Sequence, residues 1–406
     1  MKRKIRWSLL VVALSLASLS FAVRHTQAQT GIELDATASH QFGVQIIFIA
    51  QLKSPLQVSQ AFIFIQDDAQ GRPITFDANG RSEYRLDVNQ MVLRPFAFVR
   101  WHYRITLADG TTFQSENYFL RYDDNRFAWQ RVEAGPLRIF WHQGDDAFGQ
   151  SMLNTAQAGL ASIAQYVPLD LSQPIDIYVY PTQAELPPHL SLGGEIWLAG
   201  HANPALGVAV VVIEPGANQK INMEQRIPHE LMHVMLYRHL GAGYANLPAW
   251  LREGMATQVE LYPNPEYERA LANAGARNEL IPFEDLCASF PAEAGEAFLA
   301  YAQAASFIRY LRGLYGSDGL LNLAGIYANG VDCEHGVERA FGVSLAKLEL
   351  NWRATVLGQS PVRIVLDNLA PYLVLLCLVL SIPLAGLLVK VQRKGKGNER
   401  QAYTKR

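Results

Sequence analysis

The stretch MEQRIPHELMHVMLYRHLGAGYANLPAWLREGMA, residues 223–256, decides how this chain folds and where its chemistry lies. Apolar residues recur at helical spacing from about Met223 to Leu240, so the HExxH pattern at 229–233 falls in mid-helix. Residues four apart differ by about 40° round a helix, and His229 and His233 therefore face one way and can grip one metal ion. Glu230, one residue along, is placed to polarise a water held by that ion and to pass its proton to a leaving amine, as metal-assisted peptide hydrolysis requires. A second helix starts at Leu247-Pro248-Ala249-Trp250 and carries Glu253, 20 residues after His233. Two His and one Glu, with water in fourth place, make a catalytic zinc shell.

His239 competes with Glu253 for the third position, since it stands ten residues after His229, where a metzincin places its third histidine. Leu236 occupies the place of the middle glycine of that pattern. With no glycine to break the helix, His239 lies about 120° round from His233 and points away from the metal. Glu253 is preferred, and His239 is read as complementing the helix C-terminal dipole before Gly241 and Gly243.

Working outward, the segments LRIFW, IDIYVYP and GVAVVVIEP read as strands, a helix is expected from about Gly149 to Tyr166, and helical patterns dominate from Met223 to Leu357. This unit, 135–358, is expected to be α+β. The strand 208–213 reads either as an edge to which an extended peptide could add or as plain core. With HELMH at 229–233, PAWLREGMA at 248–256, AYAQAASFIRYLRGLYG at 300–316 and AFGVSLAKLELNW at 340–352, the chain resembles the gluzincin metallopeptidases and, more narrowly, the peptidase MA-like family. The resemblance covers about 180–357. It implies a zincin-like domain and a zinc endo- or exopeptidase acting on peptides or proteins, with His229, His233 and Glu253 as ligands and Glu230 as base. It also puts Tyr301 where its hydroxyl could steady the oxyanion, against the plainer reading of a core tyrosine. Glu260, seven residues past Glu253, reads either as a carboxylate orienting a ligand or as part of a solvated helix face. His201 and His335 read as surface residues in loops.

Upstream, residues 30–134 are rich in β-branched and aromatic residues, as in GVQIIFIAQL and FAFVRWHYRITL, with turns marked by Asn79-Gly80 and Asp109-Gly110. An Ig-like all-β sandwich is expected there, with no catalytic constellation of its own. The ends differ in kind. Residues 1–28 have the basic start and apolar run of a signal peptide, with Ala22 and Ala28 as cleavage points. The run 364–389 is expected to be a single transmembrane helix, uncharged from Asn368 to Val389, and 390–406 a basic cytoplasmic tail. The expected fold is thus multidomain, a sandwich and a metallopeptidase domain outside the cell membrane on one C-terminal span.

Composition limits the alternatives. Half of the 406 residues are apolar and 18% charged, so the chain folds and buries a core. Twelve of its 35 basic residues sit in the two ends against one of 37 acidic ones, Glu399, which leaves the middle at −13. Such a surface excludes nucleic acid as a partner. Cys287 and Cys333 lie in the exported part and can form one disulfide; Cys377 lies in the apolar run. A rival from another class is a surface binding protein with an idle peptidase-like domain; retention of His229, Glu230, His233 and Glu253 argues against it.

Overall fold

The computed structural model describes residues 31–91, 93–186, 200–360, 369 and 372–381. Contacts divide the chain into two units, one built from the residues up to 91 together with Phe98–Arg121, the other from Leu93–Ala97 together with Tyr122 onward.

The first unit is all β. Strands β1 (Glu33–Gln41), β2 (Gln45–Lys53), β3 (Val58–Ile65), β4 (Arg72–Ile74), β5 (Arg81–Asp87), β6 (Phe98–Leu107), β7 (Thr112–Gln114) and β8 (Tyr118–Arg121) form two antiparallel sheets, ordered β1-β2-β5 and β4-β3-β6-β7, with β8 also on β6. Alternation decides which side is inside. Ile46, Phe48, Ala50 and Leu52 of β2 are buried, as are Val99, Trp101, Tyr103 and Ile105 of β6, while their neighbours in sequence face out. The two inner faces meet where Phe48 sets its ring edge-on to Trp101 at 5.2 Å. At the Asn79-Gly80 turn, Gly80 has φ +73 and a Cβ there would stand 2.1 Å from the Leu52 carbonyl oxygen, so only glycine fits.

The second unit has a mixed sheet of β9 (Gln130–Ala134), β10 (Leu137–Trp141), β11 (Ile175–Tyr180), β12 (Gly200–Asn203) and β13 (Val208–Val212), in the order β12-β13-β11-β10-β9. The pairs β10–β11 and β11–β13 are parallel; the outer pairs are antiparallel. Every residue of β11 is buried, so both sheet faces are covered. Ile175, Ile177 and Val179 face the main core with α1 (Asp146–Ile163) and α2 (Gln219–Leu240), whereas Tyr178 and Tyr180 pack with Phe96, Phe127, Trp129 and Phe140. There the fully buried Asp124 accepts hydrogen bonds from Tyr180 and Arg126. The helices α3 (Ala249–Gln258), α4 (Glu266–Arg277), α5 (Ala294–Ala328, interrupted at Gly316), α6 (Cys333–Phe341) and α7 (Leu345–Val356) follow.

One expectation is corrected here, and one of two open readings is removed. Among the described residues no helix is long and apolar enough to cross a membrane. The expected span 364–389 lies largely outside the described residues. The transmembrane helix is therefore struck from the fold. Residues 1–28 and 390–406 also lie outside the described residues. The strand 208–213 is not an edge either: β12 pairs with β13 along its outer side, which the apolar run Val208–Val212 needs because it is buried on both faces.

Candidate metal centre

The site grows from one irregularity in α2. Pro228 lies inside this helix and has no N–H, so the Glu224 carbonyl one turn back loses its helical donor. The N–H of Leu261 takes that place at 2.8 Å. Behind it, the Pro228 ring packs against Gly159 of α1, where a Cβ would come within 3.1 Å of it. The chain leaving α3 is thus pinned to α2, and Glu260, next to Leu261, reaches His229: its Oε1 lies 3.0 Å from Nδ1.

His233 is held from the other side. The Tyr244 hydroxyl, in the turn Gly241–Asn246 between α2 and α3, lies 3.0 Å from its Nδ1. With both Nδ1 atoms engaged, the network assigns both Nε2 atoms as the free ligating nitrogens. They converge on Glu253 Oε2, at 3.4 Å from His229 and 3.5 Å from His233. Potential ligand atoms of His229, His233 and Glu253 all lie within 4.8 Å of one another. Two imidazole nitrogens and a carboxylate, each backed by a further partner, suit a zinc ion. Glu253 is backed by Arg252 Nε, 3.0 Å from Oε1, and by the Tyr301 hydroxyl, 3.5 Å from Oε2.

Burial and crossed charges set the electrostatics. Burial alone would raise the Glu253 carboxyl, but His233, the hydrogen bonds of both histidines and Arg252 outweigh it and hold the group well below the usual carboxylate range. For His229 burial opposes the charge, yet the bonds to Glu253 and Glu260 carry its pKa well above the ordinary value. For His233 burial wins and lowers it. Glu230 is buried at 6% exposure and makes no bond to the cluster; burial, with Glu253 and Glu260 adding and His229 opposing, pushes its carboxyl up to about 8.

The structure brings His229, His233, Glu253, Tyr301 and Glu260 together, and Glu230 beside them on α2. Glu260 is not on a solvated helix face: α3 has ended at Gln258 and its side chain is 8% exposed. His239 is exposed and outside the cluster. His201 lies in β12 rather than in a loop, and His335 pairs with Asp332 at the exposed start of α6. Tyr244 was not read from the sequence; the available signal was a lone aromatic hydroxyl in the glycine-rich turn that joins the two motif segments. Cys287 and Cys333 are joined in a disulfide.

The sequence model of the Peptidase MA superfamily matches residues 155–358, half of the chain, and the chain belongs to that superfamily. It is peptidase-like by this membership. No curated protein matches the chain in sequence. Among solved structures, an aminopeptidase N family protein from Idiomarina loihiensis is 10% identical, with 83% of this chain and 75% of that one covered and a TM-score of 0.31. A polysaccharide deacetylase from Bacillus cereus is 10% identical over 37% of this chain and 51% of that one, with a TM-score of 0.18.

Proposed function

We propose that this chain is a zinc metallopeptidase of the gluzincin type, acting outside the cytoplasm on peptides or proteins. The observation that carries the reading is the convergence of His229 Nε2, His233 Nε2 and Glu253 Oε2, with each imidazole's other nitrogen already engaged. His229, His233 and Glu253 would hold the ion, which when bound supplies Lewis acidity to the attacking water and the scissile carbonyl. Glu230 takes the proton of the attacking water and returns it to the leaving amine. Tyr301, at the rim of the cluster, donates its hydroxyl to the oxygen that becomes negative in the tetrahedral species. The Cys287–Cys333 disulfide supports an oxidising compartment outside the cytoplasm.

Metal analysis of the full chain together with cleavage of a peptide library tests the assignment. One zinc per chain is expected, with Glu230→Gln keeping the metal while hydrolysis falls by about 10² to 10⁴. Zinc loss in that variant would make Glu230 a ligand or a prop, and unchanged cleavage would move the activity away from this helix.

A further inference from the structure

Arg226 stands three residues before His229 and four before Glu230. At 100° per residue it points about 60° from His229, about 40° from Glu230 and about 20° from His233, so it continues the metal-facing stripe of α2 by one turn. It is partly buried, and its one hydrogen bond among the described residues goes to a neutral acceptor, the Val212 carbonyl at the end of β13. No carboxylate pairs with it among the described residues. This distinguishes it from Arg138, which has Asp176, Arg252, which has Glu253, and Arg353, which has Glu349; Arg312, also partly buried, spends its donors on the Tyr166 and Ser317 hydroxyls. Arg238 on the same helix also lacks an acid, but it lies about 180° round from His229 and spends two nitrogens on the carbonyls of Asp170 and Pro174, as a bracket would. Burial of Arg226 without an acid disfavours its charge and lowers its basicity. A guanidinium has five N–H donors in a planar fork that fits a carboxylate, and a single carbonyl leaves most of that fork for another acceptor.

We propose that Arg226 selects the substrate by pairing with a carboxylate close to the scissile bond, a reading that rests on the peptidase assignment above. The helical rise from Arg226 to His229 and Glu230 is about 5 to 6 Å, and an extended peptide advances roughly 3.3 to 3.6 Å per residue. The carboxylate therefore lies one or two residues from the bond that is cut. An Asp or Glu side chain and a free C-terminal carboxylate offer the same chemistry.

The test uses the full zinc-loaded chain and fluorogenic peptides that carry Glu, Gln or Lys one or two residues from the scissile bond, each as C-terminal acid and as amide. Kcat/KM should favour Glu over Gln by about 10- to 100-fold at one position, mostly through KM, as for a charge-assisted pair. A gain that follows the C-terminal acid instead identifies the terminal carboxylate as the ligand. Arg226→Gln should bring the Glu peptide down to the Gln peptide, Arg226→Glu should turn the preference toward Lys, and Arg226→Lys should keep part of the preference for Glu and guards against misfolding. Anisotropy binding of the same peptides to Glu230→Gln reads the pairing without turnover. Acid-selective binding with no cleavage by the parent chain would keep the role of Arg226 and remove the peptidase reading. Equal treatment of Glu, Gln and Lys by the parent chain, or a preference untouched in Arg226→Gln, overturns the proposal and leaves Arg226 a bracket between α2 and β13.

Discussion

Replacing Glu260 by Ala should weaken zinc binding without touching a ligand. The carboxylate is 8% exposed and lies 3.0 Å from His229 Nδ1. Its removal leaves a buried N–H with no acceptor, which costs about 1 to 3 kcal/mol, or roughly 5- to 150-fold in an equilibrium constant. Loss of the orienting carboxylate also frees the ring to turn its Nε2 away from Glu253, and partners of this kind are typically worth about 10- to 100-fold in metal affinity. The two estimates overlap at about 10- to 100-fold. Glu260→Gln should lose less, because its amide oxygen can still accept from Nδ1–H. Competition against a chromophoric chelator measures zinc affinity directly, and melting of the metal-free variant separates ligand orientation from fold stability. Unchanged affinity in Glu260→Ala would refute the reasoning, as would equal losses for Ala and Gln.

Three further outcomes are expected. Glu253→Ala should lose most zinc affinity while His239→Ala keeps it, since only Glu253 meets both Nε2 atoms; titration of zinc into both variants decides between them. Tyr301→Phe should keep zinc but lower turnover by about 10² if its hydroxyl meets the oxyanion, and steady-state rates near those of the parent chain would leave it a packing residue. Cys333→Ser opens the link between residues 46 apart and should cost about 2 to 4 kcal/mol, read as a lower denaturation midpoint under non-reducing conditions; an unchanged midpoint would show that the bond adds nothing.

Much of the metal centre was legible because its code is local. Spacing within one helix puts His229 and His233 on one face, and that needs no tertiary information. What surrounds the two rings was harder to read, because it comes from breaks in regular structure. Glu260 was weighed as part of a helix face, but α3 stops at Gln258 and the following turn is held to α2 by a carbonyl that Pro228 has left without a donor. A missing hydrogen bond thus positions a residue 32 places downstream, a relation no periodicity carries. The strand 208–213 stays open between edge and plain core in the sequence for a similar reason: alternation and apolar content report burial, while strand order depends on where Gly200–Asn203 pairs. At the C-terminal end, hydropathy alone pointed to a span that the described helix does not make.

The second motif, PAWLREGMA, shows how a carboxylate on a separate helix is brought to the first. Pro248 opens α3, and the N–H groups of Ala249 and Trp250, which have no partners within the helix, are taken by the carbonyls of Cys287 and Leu286 at 2.9 and 3.1 Å. That loop is tied through Cys287 to Cys333 at the start of α6. Trp250, fully buried, sets its ring against Phe283, Phe307 and Tyr327 and so fixes the rotation of α3 about its axis. Gly254 lets α3 press onto α5, where a Cβ would stand 2.5 Å from Ile308 and 2.9 Å from the Ala304 carbonyl oxygen. Depth is set by Gly254, rotation by Trp250 and the axial position by the Cys287 loop; Glu253, between Trp250 and Gly254 in sequence, has little freedom left. Its carboxylate is therefore presented to both histidines by backbone contacts and packing, and the motif reads as a docking device for one ligand as much as the source of it.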